Sequence, residues 1–262
     1  MPREVFSDTE IFYAIEGEGE PLLLIPGFAS GAWSWNWQVE QLAKNFRAIT
    51  FDPRGVANSR IVDGADVSIE LIADDAALLL DSLGIESAHV LGISFGGFVA
   101  QELAIKYPGR VRKLVLASTS FGGPNHVPAV MDIYAAFVSM EGLNSPERVR
   151  KYLSVSFDPE TDPDIVERFC VLREQNPIPE NVYTLQLRSA MSFNSEDRVA
   201  HIAVETLVMT GDRDIIVPMK NSLNLNEKIP NAHLAVMPYA GHMAFVERAD
   251  EFNRIVEDFL IS

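Results

Sequence analysis

The 262-residue chain has little that would mark it for an oxidising compartment or for a membrane. Cys170 is its single cysteine, so no disulfide can form within the chain. No apolar run approaches the roughly 20 residues that span a bilayer, and residues 1–7 lack the long apolar core of a secretion signal. We therefore expect a cytoplasmic protein without a membrane span.

Basic residues are also scarce. Lys and Arg together number 21 against 37 Asp and Glu, which gives a formal net charge of −16 and a pI near 4.7. A surface with that balance lacks the positive charge that neutralises phosphates. The composition therefore argues against nucleic acid and against an anionic membrane surface as partners.

Sequence motifs that hold metals or phosphates are missing too. His233 and His242 are not spaced as a pair of ligands on one helix, and the carboxylates do not cluster as in a calcium loop. Neither GxGxxG nor GxxxxGK occurs in the sequence. We predict chemistry that needs no metal and no cofactor.

What the chain does contain is a serine between two glycines, at the junction of two periodic segments. Residues 88–93 are an apolar run typical of a buried parallel strand, and residues 95–107 have helical apolar spacing up to a proline. Gly92, Ser94 and Gly96 fit the GxSxG pattern, in which a tight turn strains the serine backbone and exposes its oxygen. The pattern predicts that Ser94 is a nucleophile.

Strands and helices alternate on both sides of this motif. Antiparallel strands are predicted near residues 5–7 and 11–16, further strands at 21–25, 47–51, 111–118, 206–210 and 233–237, and helices at 35–44, 69–83 and 251–261. Such alternation predicts an α/β fold, with a mostly parallel twisted sheet and helices on both faces.

The alternation stops between residue 121 and about residue 198. That stretch has amphipathic helical segments but no convincing strand, and the segments lie at residues 127–140, 146–157, 163–175 and 181–193. We interpret residues 121–198 as an inserted helical cap, and residues 1–120 and 199–262 as the core.

A serine hydroxyl attacks a carbonyl only with the help of a base, which an acid must orient. In parallel sheets such groups gather beyond the carboxyl ends of the strands. Asp212 and Asp214 follow the predicted strand at residues 206–210, and His242 follows the strand at 233–237. His242 is therefore the candidate base, and both aspartates are candidates for the acid.

The order Ser94, Asp214, His242 is the order found in α/β-hydrolases. With four motifs in register, the chain resembles that superfamily along almost its whole length. Its closest likeness is to the small bacterial esterases, enol-lactonases and carbon-carbon bond hydrolases with a helical cap. The resemblance implies Ser94 as nucleophile and His242 as general base and then acid, and the family's GxxD pattern favours Asp214 over Asp212 as the carboxylate that orients it.

The same resemblance implies an oxyanion hole made of two backbone N–H groups. One belongs to Phe95, directly after the nucleophile, and the other to Phe28, in the loop after the strand at residues 21–25. The family usually has His-Gly where this chain has Pro26 and Gly27. The replacement removes a side chain that supports the loop, but the donor is a backbone group and survives it.

A segment that begins at Asp52 resembles the family's DxRGxGxS motif. We expect Asp52 and Arg54 to brace turns near the active-site face as a fixed ion pair. The family's dehalogenases and epoxide hydrolases carry aspartate at the elbow, where this chain has Ser94, so these two activities are disfavoured.

Aromatic side chains near the catalytic loops are candidates for a substrate pocket. We predict that Trp33 and Phe121 line it and that Tyr134 and Phe137 reach it from the cap. At helical spacing the two cap residues also suit the interior of the cap itself.

These features together predict a serine hydrolase that cleaves a small, mostly apolar carboxylic ester or lactone through an acyl-enzyme. One alternative is a carbon-carbon bond hydrolase of a vinylogous diketone, in which a buried arginine such as Arg173 or Arg188 would hold a carboxylate. Another alternative is a ligand receptor on the same fold. The expected partner is a small molecule, and the sequence is also compatible with a homo-oligomer.

Overall fold

The fold comes from a computed structural model of the chain, and the structure describes residues 2–129 and 146–262. The strands of this part are β1 (Arg3–Phe6), β2 (Thr9–Glu16), β3 (Glu20–Ile25), β4 (Phe46–Phe51), β5 (Arg60–Ile61), β6 (Ala88–Ile93), β7 (Val111–Ala117), β8 (Thr206–Gly211) and β9 (Ala232–Met237).

Helices connect most of these strands. They are α1 (Val39–Leu42), α2 (Ile69–Ser82), α3 (Phe95–Lys106), α4 (Pro146–Ser156), α5 (Pro163–Gln175), α6 (Glu180–Ser192), α7 (Lys220–Lys228), α8 (Ala244–Glu247) and α9 (Ala249–Ile261). Short 3-10 turns occur at Ala32–Trp35, Pro108–Arg110 and Val199–His201.

The strands of the described part form one mixed sheet of nine strands, in the order β1-β2-β4-β3-β6-β7-β8-β9, with β5 paired to β2. Every pairing from β4 to β9 along this order is parallel. The pairings made by β2 are antiparallel. The predicted fold class, an α/β fold with a mostly parallel sheet and helices, is confirmed.

Strand β3 shows why its sequence is an unbroken apolar run. Leu23 and Ile25 pack into one buried cluster and Leu22 and Leu24 into another, and all four are 0% exposed. Alternate residues of a strand point to opposite faces, so helices must cover both faces of this sheet.

The helix predicted at residues 35–44 is wrong in extent. The chain forms a 3-10 turn at Ala32–Trp35 and then only the short helix α1. Gln38, between them, is 0% exposed and donates its side-chain amide to the backbone oxygen of Phe245. A tertiary contact therefore fixes this position where local periodicity suggests a regular helix.

The chain between β7 and β8 contains α4, α5 and α6, and no strand occurs among its described residues. Gly122 and Asn194 form an isolated antiparallel bridge where the chain leaves the core and returns to it. The helix predicted at residues 127–140 lies mostly outside the described residues, and residues 127–129 are not helical. The exact domain boundaries remain a prediction.

Phe169 of α5 joins this inserted region to the core through aromatic contacts. Its ring is 2% exposed and lies 5.4 Å from that of Trp33, 5.7 Å from Trp37 and 6.4 Å from Phe245, measured between centroids. Phe157, which follows α4, adds an edge-on contact at 5.8 Å. We call these five rings the aromatic junction.

Within residues 2–129 and 146–262, no helix is long and apolar enough to cross a membrane.

Candidate active site

Ser94 lies between the end of β6 and the start of α3, in a conformation that few non-glycine residues adopt. Its φ is 52° and its ψ is −117°. A β-carbon built on Gly96 would lie 2.2 Å from the backbone oxygen of Ile25, and one built on Gly92 would lie 2.3 Å from that of Gly96. The two glycines are therefore required by close backbone approach, and the strained turn presents the serine side chain.

His242 lies in the loop after β9 and reaches Ser94. Its Nε2 is 3.0 Å from the Ser94 hydroxyl oxygen, within hydrogen-bond distance. The residue is only 5% exposed. A base at this distance can take the hydroxyl proton as the oxygen attacks.

Asp214 completes the arrangement from the loop after β8. Its Oδ2 lies 2.8 Å from His242 Nδ1, and its Oδ1 accepts hydrogen bonds from the backbone N–H groups of Ile216 and Val217 at 2.9 and 2.8 Å. Asp212, the competing aspartate, instead accepts from the Ala240 N–H at 3.4 Å. The geometry places Asp214 rather than Asp212 against the imidazole.

The loop after β3 passes directly beside the serine. A β-carbon built on Gly27 would lie 3.7 Å from Ser94 Cβ. The rings of Phe28 and Phe95, whose backbone N–H groups are the predicted oxyanion donors, contact each other edge-on at 6.1 Å. The two predicted donor residues therefore lie next to each other at the serine.

Gln186 of α6 supports this loop, and the sequence does not predict it. Its Oε1 accepts a hydrogen bond from the backbone N–H of Ala29 at 2.9 Å, and the residue is 1% exposed. Ala29 itself has a φ of 54°. Gln186 could be found from the sequence only by its spacing. It follows Val182 by one helical turn, so both side chains lie on the inner, buried face of α6.

A half-buried cation lies near Tyr183, whose ring contacts Phe28 of this loop. Arg173 of α5 donates to the backbone oxygen of Asn176 at 2.7 Å, and no carboxylate of the described residues pairs with it. Burial lowers the pKa of its guanidinium, and the nearby phenols of Tyr183 and Tyr152 oppose that shift. The Tyr183 ring contacts Phe28 edge-on at 4.8 Å.

Arg188, the other arginine predicted to reach a substrate, is exposed. It lines an open surface groove together with Asp66 and Glu180. Arg173 is therefore the better placed of the two.

Burial also raises the pKa of both tyrosines near Arg173. The pKa of Tyr152 rises to about 12, and the charge of Asp214 contributes to that rise. The pKa of Tyr183 rises because of burial, while Arg173 acts in the opposite direction. The two phenols stay neutral under ordinary conditions.

The predicted pocket residues have different surroundings. Trp33 packs on Phe169 in the aromatic junction, and Phe121 is 1% exposed, with the Lys228 ammonium 5.4 Å from its ring centroid. Tyr134 and Phe137 lie outside the described residues. A role for these four side chains in substrate binding remains a prediction.

The expected ion pair between Asp52 and Arg54 is wrong. Arg54 pairs with Asp75 of α2 through two contacts of 2.7 and 2.8 Å. The Asp52 carboxylate instead accepts backbone N–H groups of Ala32 and Asn58 at 2.7 and 2.9 Å. Each charged group is therefore satisfied by different neighbours. Asp52 fixes the loops at Ala32 and Asn58, and Arg54 also donates to the backbone oxygen of Asp66 at 3.0 Å.

The chain is similar to known proteins over almost its whole length. The sequence profile of the alpha/beta hydrolase family matches residues 22–255. The chain is 31% identical over 265 residues to the 2-hydroxy-6-oxo-6-phenylhexa-2,4-dienoate hydrolase of Comamonas testosteroni, covering 97% of this chain and 92% of that one. It is 33% identical over 256 residues to the 2-hydroxymuconate semialdehyde hydrolase of Pseudomonas sp. (strain CF600), covering 93% and 88%.

Among solved structures, a thermophilic esterase from Thermogutta terrifontis, studied with malate bound, superimposes with a TM-score of 0.85. The two chains are 25% identical, and the match covers 99% of this chain and 98% of the esterase.

Proposed function

Because the chain belongs to the alpha/beta hydrolase family, we propose that it is a serine hydrolase that cleaves a small carboxylic ester or lactone through an acyl-enzyme. The observation that carries this proposal is the unbroken path from the Ser94 hydroxyl through His242 to Asp214, with contacts of 3.0 and 2.8 Å. The second oxygen of Asp214 is held by two backbone N–H groups, so the carboxylate cannot rotate freely.

In this mechanism the Ser94 oxygen attacks the carbonyl carbon and its proton passes to His242 Nε2. The imidazolium that forms is stabilised by Asp214, and the tetrahedral oxyanion by the backbone N–H groups of Phe28 and Phe95. The intermediate collapses, the bond to the leaving alkoxide breaks, and His242 returns the proton to the alkoxide. Water then attacks the acyl-enzyme by the same path and releases the acid and the free serine.

A second candidate function is carbon-carbon bond hydrolysis, and Arg173 is the observation that favours it. Its guanidinium has no carboxylate partner among residues 2–129 and 146–262, and it lies near Tyr183, whose ring contacts Phe28. Such a group suits a substrate that carries a carboxylate. Two of the relatives named above act, by name, on a dienoate or on a muconate semialdehyde. In this reaction the leaving group is a stabilised carbanion, which must gain a proton at carbon.

The experiment that tests the first proposal is labelling with a fluorophosphonate, together with turnover of p-nitrophenyl esters of rising chain length and of a lactone panel. We expect Ser94→Ala to form no adduct and to lower kcat at least about 10³-fold. Ser82→Ala, on the outer helix α2, is the matched control and should behave as the wild type. A labelled wild type without turnover of any substrate would favour a receptor, and full turnover by Ser94→Ala would refute the serine mechanism.

Two esters of equal acyl chain length, one ending in a carboxylate and one in a methyl group, separate the candidate substrates. We expect Arg173→Met to raise KM about 10- to 100-fold for mono-p-nitrophenyl succinate, since a hydrogen bond to a charged group contributes about 1.5–3 kcal/mol. KM for p-nitrophenyl butyrate should change little, and Arg188→Met should alter neither value. Faster turnover of a 2-hydroxy-6-oxo-dienoate than of every ester would replace the ester proposal by the carbon-carbon one.

A further inference from the structure

Glu247 of α8 holds two backbone N–H groups that belong to different parts of the fold. Its Oε2 accepts from Gly241, next to His242, at 2.7 Å. Its Oε1 accepts from Asp158, in the segment that leaves α4, at 3.1 Å. Burial raises the pKa of the Glu247 carboxyl, and both N–H donors oppose that rise because they favour the carboxylate.

Asp158 extends this connection to the loop of the proposed acid. Its side chain is 1% exposed and contacts Nη1 of Arg213 through both oxygens, at 3.2 and 3.3 Å. Arg213 directly precedes Asp214 in the chain, and its backbone N–H donates to Ala240 at 2.9 Å. The segment after α4 is therefore tied to the loops of both His242 and Asp214.

The same backbone segments also touch directly. A β-carbon built on Gly241 would lie 2.8 Å from the Asp158 nitrogen and 3.1 Å from the carbonyl carbon of Phe157. On the other side of His242, the Met243 N–H donates to the Ser156 oxygen at 3.3 Å. Both neighbours of His242 thus contact the end of the cap helix α4.

We propose that Glu247 is a positioning residue that sets the place of His242 by fixing the His242 loop to the cap segment at Asp158. This inference rests on the proposed function and adds a residue to it. Glu247 touches neither substrate nor the reacting atoms, and it acts only through Gly241. A displacement of about 1 Å at a catalytic group can cost about 100-fold in rate, so a tie beside the base has a large effect on the reaction.

The test compares Glu247→Gln and Glu247→Ala with the matched control Glu251→Gln, whose carboxylate pairs with Arg248 at 2.7 Å on the outside of α9. The catalytic readouts are the rate of fluorophosphonate labelling and separate kcat and KM values. Glu247→Gln keeps one acceptor, so we expect kcat and labelling to fall about tenfold, and about 100-fold in Glu247→Ala, with KM within about twofold. Glu251→Gln should match the wild type.

Amide hydrogen exchange supplies a readout that does not depend on activity. Peptides that contain Gly241 and Asp158 should exchange faster in both Glu247 variants and not in Glu251→Gln, while the peptides of β3 and β6 stay protected. Unchanged exchange at Gly241 and Asp158 would overturn the inference. So would faster exchange with unchanged labelling, because Glu247 would then hold the loop without positioning the base.

Failure of the proposed function has a different signature. If no fluorophosphonate labels the wild type, the serine hydrolase proposal is refuted, and so is the catalytic positioning role of Glu247. The exchange measurement would still show whether Glu247 fixes the His242 loop to the segment at Asp158.

Discussion

The side-chain oxygen of Gln186 accepts a hydrogen bond from the backbone N–H of Ala29 at 2.9 Å, although the two residues lie 157 positions apart. Ala29 follows Phe28, whose own N–H is a proposed oxyanion donor. The contact therefore connects a helix of the inserted region to the loop in which Pro26 stands where related enzymes usually have histidine. In this chain the loop therefore takes support from a side chain of α6.

Replacing Gln186 by Met tests this contact. Methionine has a similar length but accepts no comparable hydrogen bond, so the Ala29 N–H loses its partner and the donor beside it is less well placed. We expect kcat to fall about 10- to 100-fold with little change in KM. Gln186→Glu keeps an acceptor and should recover part of the loss. Gln41→Met, on α1, is the matched control, and an equal loss there would contradict the role of Gln186.

The glycines of the elbow make a steric prediction. In Gly96→Ala the new methyl would meet the Ile25 oxygen at 2.2 Å, and that oxygen belongs to the backbone and cannot move aside. We expect Gly96→Ala to lose at least about 3 kcal/mol of unfolding free energy or to yield no soluble protein. At Gly109 nothing lies within 4 Å. Gly109→Ala should therefore differ from the wild type by less than about 0.5 kcal/mol in urea unfolding.

The aromatic junction predicts a large effect of one core substitution. Phe169→Ala removes a ring that contacts four others, and we expect it to lower the free energy of unfolding by about 3–5 kcal/mol. Phe169→Leu should cost clearly less, because most of the volume remains. Ile261 is 64% exposed, so Ile261→Ala serves as the neutral control. The free energies of unfolding of the three variants in urea provide the test. A small loss for Phe169→Ala would mean that other contacts hold the inserted region to the core.

The raised pKa of Tyr152 predicts how the free energy of unfolding changes in alkaline solution. Its pKa is raised to about 12 in the folded protein, against an ordinary value of 10.0. A group whose folded pKa is raised stabilises the fold fully below its unfolded pKa and loses that contribution as pH rises through the folded pKa. Between about pH 9 and about pH 11.5 the wild type should lose about 2 kcal/mol more unfolding free energy than Tyr152→Phe. Parallel pH profiles for the two proteins would contradict this.

The sequence predicts the sheet and the turn at Ser94 because local patterns are sufficient there. A short apolar run such as β3 predicts a strand that is buried on both faces. The glycines around Ser94 are required by close backbone contacts at the turn. These features depend on residues close together in the chain. Their geometry could be anticipated without knowing the tertiary arrangement.

Other features depend on partners that no local pattern specifies. Arg54 pairs with Asp75 rather than with Asp52, and the clue is only that Asp75 lies one turn from the buried Leu79 on the inner face of α2. The contact of Gln186 with Ala29 joins distant parts of the chain. The short turn at Ala32–Trp35 likewise depends on a tertiary bond, from Gln38 to Phe245.

The charge of Arg173 has a consequence for how substrates arrive. The chain carries a net charge of −16, so an anionic substrate is repelled at long range before it meets Arg173, the guanidinium proposed to hold it. Salt shortens the reach of that repulsion, with a Debye length of about 10 Å at about 0.1 M. Added salt should therefore raise the association rate of an anionic ester and leave that of a neutral ester unchanged. The ionic strength of the medium would thus change the preference between the two esters.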